Sequence, residues 1–219
     1  MPSETQSSDP TVTQSSETTV TSPRDPADLS APSRVVSWLL ALGGLIGLSA
    51  ATVLLVERIE LFKNADYIPT CNLNPILSCG SVMNTDQAAA FSIPNPIIGV
   101  AGFAALAAVG VALLAGARFA RWFWVLVQVG VTFGVGFVHW LIWQSLYEIG
   151  ALCPYCMVVW AVTIPVFWVT TLHVVGLFTG PRGWLGRLRE FALPTVVGWY
   201  LVIVALIAVR FWSYWSTLV

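Results

Sequence analysis

Charge is what this chain has least of. Of its 219 residues only 10% are charged, against 57% that are hydrophobic, and the mean hydropathy is +0.78. A soluble domain carries about a quarter charged residues and needs polar surface to cover its core. So little charge excludes a water-soluble globule. Ten cations and eleven acids leave a formal net charge of −1 and a pI near 6.1, so there is no basic face to hold nucleic acid. A phosphate-binding loop is also lacking, which removes the signature of a nicotinamide or flavin dinucleotide site. Residues 1–33 lack the basic start and short apolar core of a signal peptide; they are rich in Ser, Thr, Pro and acids. Such a stretch cannot bury enough surface to offset its ordering entropy, and a disordered tail is expected there.

Long apolar runs are what the chain has in abundance. Five of them, roughly Val35–Val56, Pro96–Gly116, Trp122–Tyr147, Cys153–Phe178 and Pro194–Ser213, are near the ~20 residues a helix needs to cross the hydrocarbon core. Lipid offers no partner for backbone polar groups, so helices are the expected spanning form. The fold class is therefore an all-α polytopic membrane protein, a four-helix transmembrane bundle plus a fifth helix. Gly43, Gly44 and Gly47, and again Gly130, Gly134 and Gly136, are small residues spaced to let helix backbones approach.

Basic residues orient the chain. Arg24, Arg34, Arg118, Arg121, Arg182, Arg187 and Arg189 fall on one side of the spans, seven of the ten cations. The positive-inside rule makes that side, with the amino terminus, cytoplasmic. The expected domains are a cytoplasmic tail 1–33, a bundle 34–178 with an external loop 57–93, and a cytoplasmic loop with the fifth helix, 179–219. All four cysteines then lie outside a plasma membrane, although they were not used to orient it.

Cys71 and Cys79 sit in the external loop, and Cys153-Pro154-Tyr155-Cys156 opens the fourth span. A Cys-x-x-Cys pair at a helix start suits redox chemistry, because the thiolate is the reactive species and the helix amino terminus favours it. Pro154 fits the first turn, where a missing N–H costs nothing. Two structural disulfides would also suit an external face. A four-cysteine zinc site fits less well, since the first pair lacks the usual two-to-four residue gap. A disulfide relay accounts for the clustering best: exchange runs through mixed disulfides, with a mobile loop pair reaching a fixed helix-end pair. His139, inside the third span, is a candidate proton relay whose ordinary alternative is a neutral, hydrogen-bonded histidine. His173 reads as structural, and Arg210 as a side chain snorkelling to the interface.

These residues resemble the bacterial branch of the vitamin K epoxide reductase family over about Arg34–Phe178. The carriers are the Cys71/Cys79 loop pair, Pro94-Asn95-Pro96-Ile97-Ile98-Gly99 opening the second span, and Cys153-Pro154-Tyr155-Cys156. The disulfide-bond formation protein B family has its Cys-x-x-Cys in the first external loop and the wider pair in the second, the reverse of the order here.

The resemblance implies a bundle around a quinone of menaquinone or ubiquinone type, with no metal, flavin or nicotinamide. It makes Cys153 and Cys156 the redox centre, with Cys156 nearest the quinone. Cys79 becomes the shuttle that exchanges with Cys153, and Cys71 the cysteine that meets the external partner. Asn95 would hydrogen-bond a quinone carbonyl, Trp160 would lie against the ring, and Met83 would cap the pocket. Without the family, Asn95 reads as a turn or cap residue, and Trp160 and Met83 as packing. Many bacterial members continue into a fused thioredoxin-like domain; this chain stops at Val219. A separate thioredoxin-like disulfide oxidase on the external face is then the expected partner. The expected function is to reoxidise that oxidase and pass its electrons to the quinone. Reduction of a quinone epoxide by the same cysteines, and a disulfide-stapled scaffold without activity, are the alternatives.

Overall fold

Five apolar helices account for most of the computed structural model, which describes residues 29–64, 66–180, 187–188 and 190–216. Helix α1 runs Arg34–Lys63. A loop carrying the short helix α2 (Cys79–Met83) leads to α3 (Asn95–Leu114). Helix α4 (Arg121–Trp143) ends in a π-helical turn, Gln144–Ile149, and α5 spans Pro154–Thr179. Helix α6 (Ala192–Arg210) is followed by one turn, α7 (Trp212–Trp215). Each of the five long helices is long and apolar enough to cross a membrane, and the protein is an all-α polytopic membrane protein.

Two boundaries differ from the sequence reading. Helix α1 continues two turns beyond Val56 to Lys63, so the loop is shorter than 57–93. Good helix formers (Glu57, Arg58, Glu60 and Lys63) extend the helix past its apolar run, with Lys63 bonding Glu60 at 2.7 Å. At the other end, Leu29–Ser30 pairs antiparallel with Phe119–Ala120 as strands β1 and β2, so this part of the expected tail is ordered. Residues 1–28, with Arg24, lie outside the described residues, as do Arg182 and Arg189.

Close approach is concentrated between α1 and α3. A Cβ on Gly44 would stand 2.4 Å from the Ala107 nitrogen, and one on Gly110 2.2 Å from the Ala41 nitrogen. Only glycine lets the two backbones meet there. The second glycine group behaves differently. A Cβ on Gly130 or Gly136 would meet nothing within 4 Å, and one on Gly134 only Thr163, at 3.8 Å. Gly130 and Gly134 face a cavity instead. Helix α1 packs along α3 and α5, and α5 along α4, while α3 and α4 face one another across this cavity.

Helix α6 is fastened by polar contacts. The Trp199 indole N–H donates to His139 Nε2 at 2.8 Å, and His139 Nδ1 donates to the Val135 carbonyl at 2.7 Å. Indole is only a donor, so Nε2 carries no proton and the ring is neutral. The histidine is thus a hydrogen-bonded link between spans. Arg210 does more than snorkel: its Nε donates to the Leu146 carbonyl at 2.8 Å, within the π turn. His173 packs edge-on against Trp124.

Candidate active site

The four cysteines meet at one end of the bundle, where α1 ends and α3 and α5 begin. Cys71 and Cys79 form a disulfide with their Cα atoms 5.6 Å apart. The intervening Asn-Leu-Asn-Pro sequence makes this possible. Asn74 Oδ1 accepts from the N–H groups of Ile76 and Leu77 at 3.0 and 2.7 Å, turning the chain back at Pro75. Asn72 Oδ1 then accepts from the Gly80 N–H at 2.9 Å and from the Ser78 hydroxyl at 3.1 Å, closing the loop on itself.

Both flanks of the disulfide are pinned. On one side Leu77 and Leu152 form a parallel bridge: the Leu152 N–H donates to Ile76 at 2.7 Å and the Ser78 N–H to Leu152 at 2.9 Å. Cys79 and Cys153 follow directly from this bridge, and their sulfurs stand 3.1 Å apart. On the other side Glu57 of α1, 5% exposed, accepts from the Thr70 hydroxyl and from the Thr70 N–H at 3.4 Å. The Tyr67 hydroxyl also bonds this carboxylate, which pushes the phenol above its ordinary range. Sequence reasoning did not single out Glu57. Its signal was a single acid on the helical face of Leu54 and Leu61, the two α1 leucines packed around the sulfurs.

Cys153 is the N-cap of α5, with Pro154 at the first helical position. A hydrogen bond from the Cys156 thiol, with backbone N–H groups of Cys156 and Tyr155, holds the Cys153 thiol below its ordinary range against the opposing cost of burial. Cys156 lies one turn deeper and is half-buried. These two cysteines are free thiols, whereas Cys71 and Cys79 are joined. A four-thiolate metal site would need both outer thiols free.

Beneath the sulfurs lies an apolar cavity of about 440 Å³, a size typical of small-molecule sites. Cys153, Cys156, Met83, Asn95 and Trp160 all line it, so it gathers every site residue read from the sequence except the outer disulfide. Met83 and Trp160 are buried. The Trp160 Nε1 is buried without a hydrogen-bond partner. Asn95 also serves as a loop clamp. Its Nδ2 donates to the Gln87 carbonyl at 2.7 Å and its Oδ1 accepts from the Ala90 N–H at 3.0 Å. That engages one of the two amide N–H groups of Asn95. Gln144, which the sequence reading passed over, lines the same cavity.

A search among curated proteins finds no match. A family model described as the vitamin K epoxide reductase family matches residues 38–171, more than half of the chain and all four cysteines. With paired cysteines stacked above an apolar cavity and this match over the same residues, the chain belongs to the vitamin K epoxide reductase family, whose members are membrane thiol–disulfide oxidoreductases that use quinones.

Proposed function

We propose that this protein reoxidises a thioredoxin-like disulfide oxidase outside the plasma membrane and passes the electrons to a membrane quinone. The observation that carries the reading is the 3.1 Å contact between Cys79 and Cys153 at the mouth of the apolar cavity. It links the outer disulfide to the inner pair without a gap.

The exchange balances without any further reductant. A thiolate of the reduced partner attacks Cys71, displaces the Cys79 thiolate, and leaves as a disulfide when its own second thiol resolves the bond to Cys71. Cys79 then attacks Cys153 of an inner disulfide and displaces Cys156. Cys71 closes back on Cys79, so the outer disulfide returns and the inner pair is left as two thiols. That is the redox pattern found here. A quinone supplies the acceptor chemistry when bound: two electrons and the two thiol protons pass to it as Cys153–Cys156 re-forms. Cys156, one turn deeper than Cys153, would be the thiol nearer to a bound acceptor, Asn95 and Trp160 would offer N–H groups to its oxygens, and Met83 would close the space under the loop. A pocket lined almost wholly by apolar side chains makes such donors worth more than they are in water. The external placement of the cysteines rests on the clustering of Arg34, Arg118, Arg121 and Arg187 toward the opposite end of the spans.

The test is quinone absorbance with the purified protein in detergent, a reduced thioredoxin-like dithiol and a soluble quinone. Dithiol-dependent quinone reduction is expected, and Cys156→Ala should abolish it. Wild-type protein that reduces no quinone, while its cysteines stay unreactive, would leave a disulfide-stapled scaffold as the better account.

A further inference from the structure

The cavity has a polar side chain that the relay does not use. Gln144 opens the π turn at the end of α4, and π turns inside α-helices are frequent at functional sites. Gln144 and Ser145 line the cavity together with Cys153 and Cys156, and the turn is closed by the Ser145 carbonyl accepting from Gly150. The Gln144 Oε1 is buried and accepts no hydrogen bond. Gln128, more than four turns earlier on α4, shares an unpartnered oxygen, but its Nε2 is tied to Thr132 and Thr171 and it does not line the cavity.

The cavity's polar lining is Gln87, Asn95, Gln144, Ser145, Trp160 and Thr163, of which Gln144 is the one whose side-chain oxygen is buried and unpartnered. Trp160 has only a donor, and the Asn95 oxygen is already engaged by Ala90. Both residues can therefore offer the acceptor N–H groups. A quinone presents carbonyls, which only accept; its reduced form presents hydroxyls, which donate. In the inner-pair step the Cys153 and Cys156 thiols become a disulfide, and two electrons and two protons convert quinone to hydroquinone. A hydroxyl then exists where a carbonyl was, and it needs an acceptor in a site that excludes water.

We propose that Gln144 is that acceptor, a positioning residue that binds the hydroquinone hydroxyl and so favours the reduced form over the oxidised one. This rests on the quinone reading above. An unpartnered buried oxygen is costly, and the hydroquinone relieves that cost where the quinone does not.

The test measures binding rather than turnover. In a Cys156→Ala background, which cannot complete the redox step, equilibrium dialysis is run anaerobically with a short-chain benzoquinone and with its hydroquinone. Gln144→Met is expected to weaken hydroquinone binding by about tenfold, the value of one net hydrogen bond, while quinone binding changes less than about twofold. Gln144→Asn, which withdraws the acceptor without adding apolar surface, should show the same selective loss and covers a Met variant that fails to fold. Gln128→Met should leave both affinities unchanged. Equal loss for the two forms, or no loss for either, overturns the assignment of Gln144 alone. If the background with Gln144 intact bound neither form, the quinone reading itself would fail and the proposal with it.

Discussion

Replacing Glu57 with leucine should make the outer disulfide easier to reach. Cys71 is only 5% exposed, so an incoming thiolate needs the Thr70–Cys71 segment to lift from α1. Glu57 opposes that movement through Thr70 and Tyr67. A hydrogen bond to a charged group contributes about 1.5–3 kcal/mol. The Thr70 N–H contacts are long, at 3.4 Å, and Thr70 itself is exposed, so only the hydroxyl bond is counted in full. The leucine also removes the desolvation cost of a buried carboxylate, which trims the total. About 1.5–2 kcal/mol remains, or roughly 10–30-fold in the opening equilibrium. The assay is the rate at which a small dithiol reduces Cys71–Cys79, read by alkylation of the freed thiols. In the regime where opening is fast, the rate tracks the open population and should rise by the same factor. Glu57→Gln supplies a second readout, because the Tyr67 phenol should titrate closer to its ordinary range once the carboxylate is gone. A phenol that moves while Glu57→Leu changes the reduction rate less than threefold would refute the latch.

Two further outcomes follow from the geometry. The Cys153 thiol is held low chiefly by the Cys156 thiol, so its thiolate persists to lower pH than that of an ordinary cysteine. Alkylation of Cys153 in this redox state should therefore fall off only at lower pH, and Cys156→Ala should move the midpoint upward; an unmoved midpoint would assign the effect to the helix amino terminus instead. Gly110→Ala places a Cβ 2.2 Å from backbone that cannot rotate away, so it should cost at least the ~3 kcal/mol typical of severe overpacking. Gly102→Ala meets nothing within 4 Å and should keep its thermal midpoint in detergent, whereas equal losses at both sites would contradict the α1–α3 contact.

The spans were legible because crossing a membrane demands a long run of apolar residues, and such runs survive any detail of packing. The cysteine pairs were legible because their spacing is local: Pro154 and the helix start can be read without knowing what lies opposite. Contacts between distant segments were hidden. Glu57 meets Thr70 across a loop, and Arg210 meets Leu146 from the far end of the chain. For Arg210, charge near the end of a span suggested only a snorkelling side chain. Gly43, Gly44 and Gly47 pack as their spacing suggested, yet Gly130 and Gly134 border open space, because small residues serve a cavity as readily as a close contact. Asn95 carried two readings, and the structure shows the turn role: its amide clamps Gln87 and Ala90.

The loop changes most between sequence and structure, and the change bears on how a relay works. A long loop between two helices suggests a free arm that carries Cys79 to Cys153. Instead the Cys79 side is fixed by the Leu77–Leu152 bridge, and the sulfurs already touch. Inner exchange then needs bond rearrangement more than travel. On the proposed relay, what would have to move is the Cys71 side, where a buried sulfur would meet the partner's thiolate. That side is held by side-chain hydrogen bonds to one carboxylate, whereas the other is held by backbone pairing next to a helix start. Side-chain bonds at an exposed threonine open more readily than a backbone bridge beside a packed core. On the proposed relay the two halves of the loop match their tasks: a weaker latch where a partner would enter, and a firmer one where electrons would pass inward.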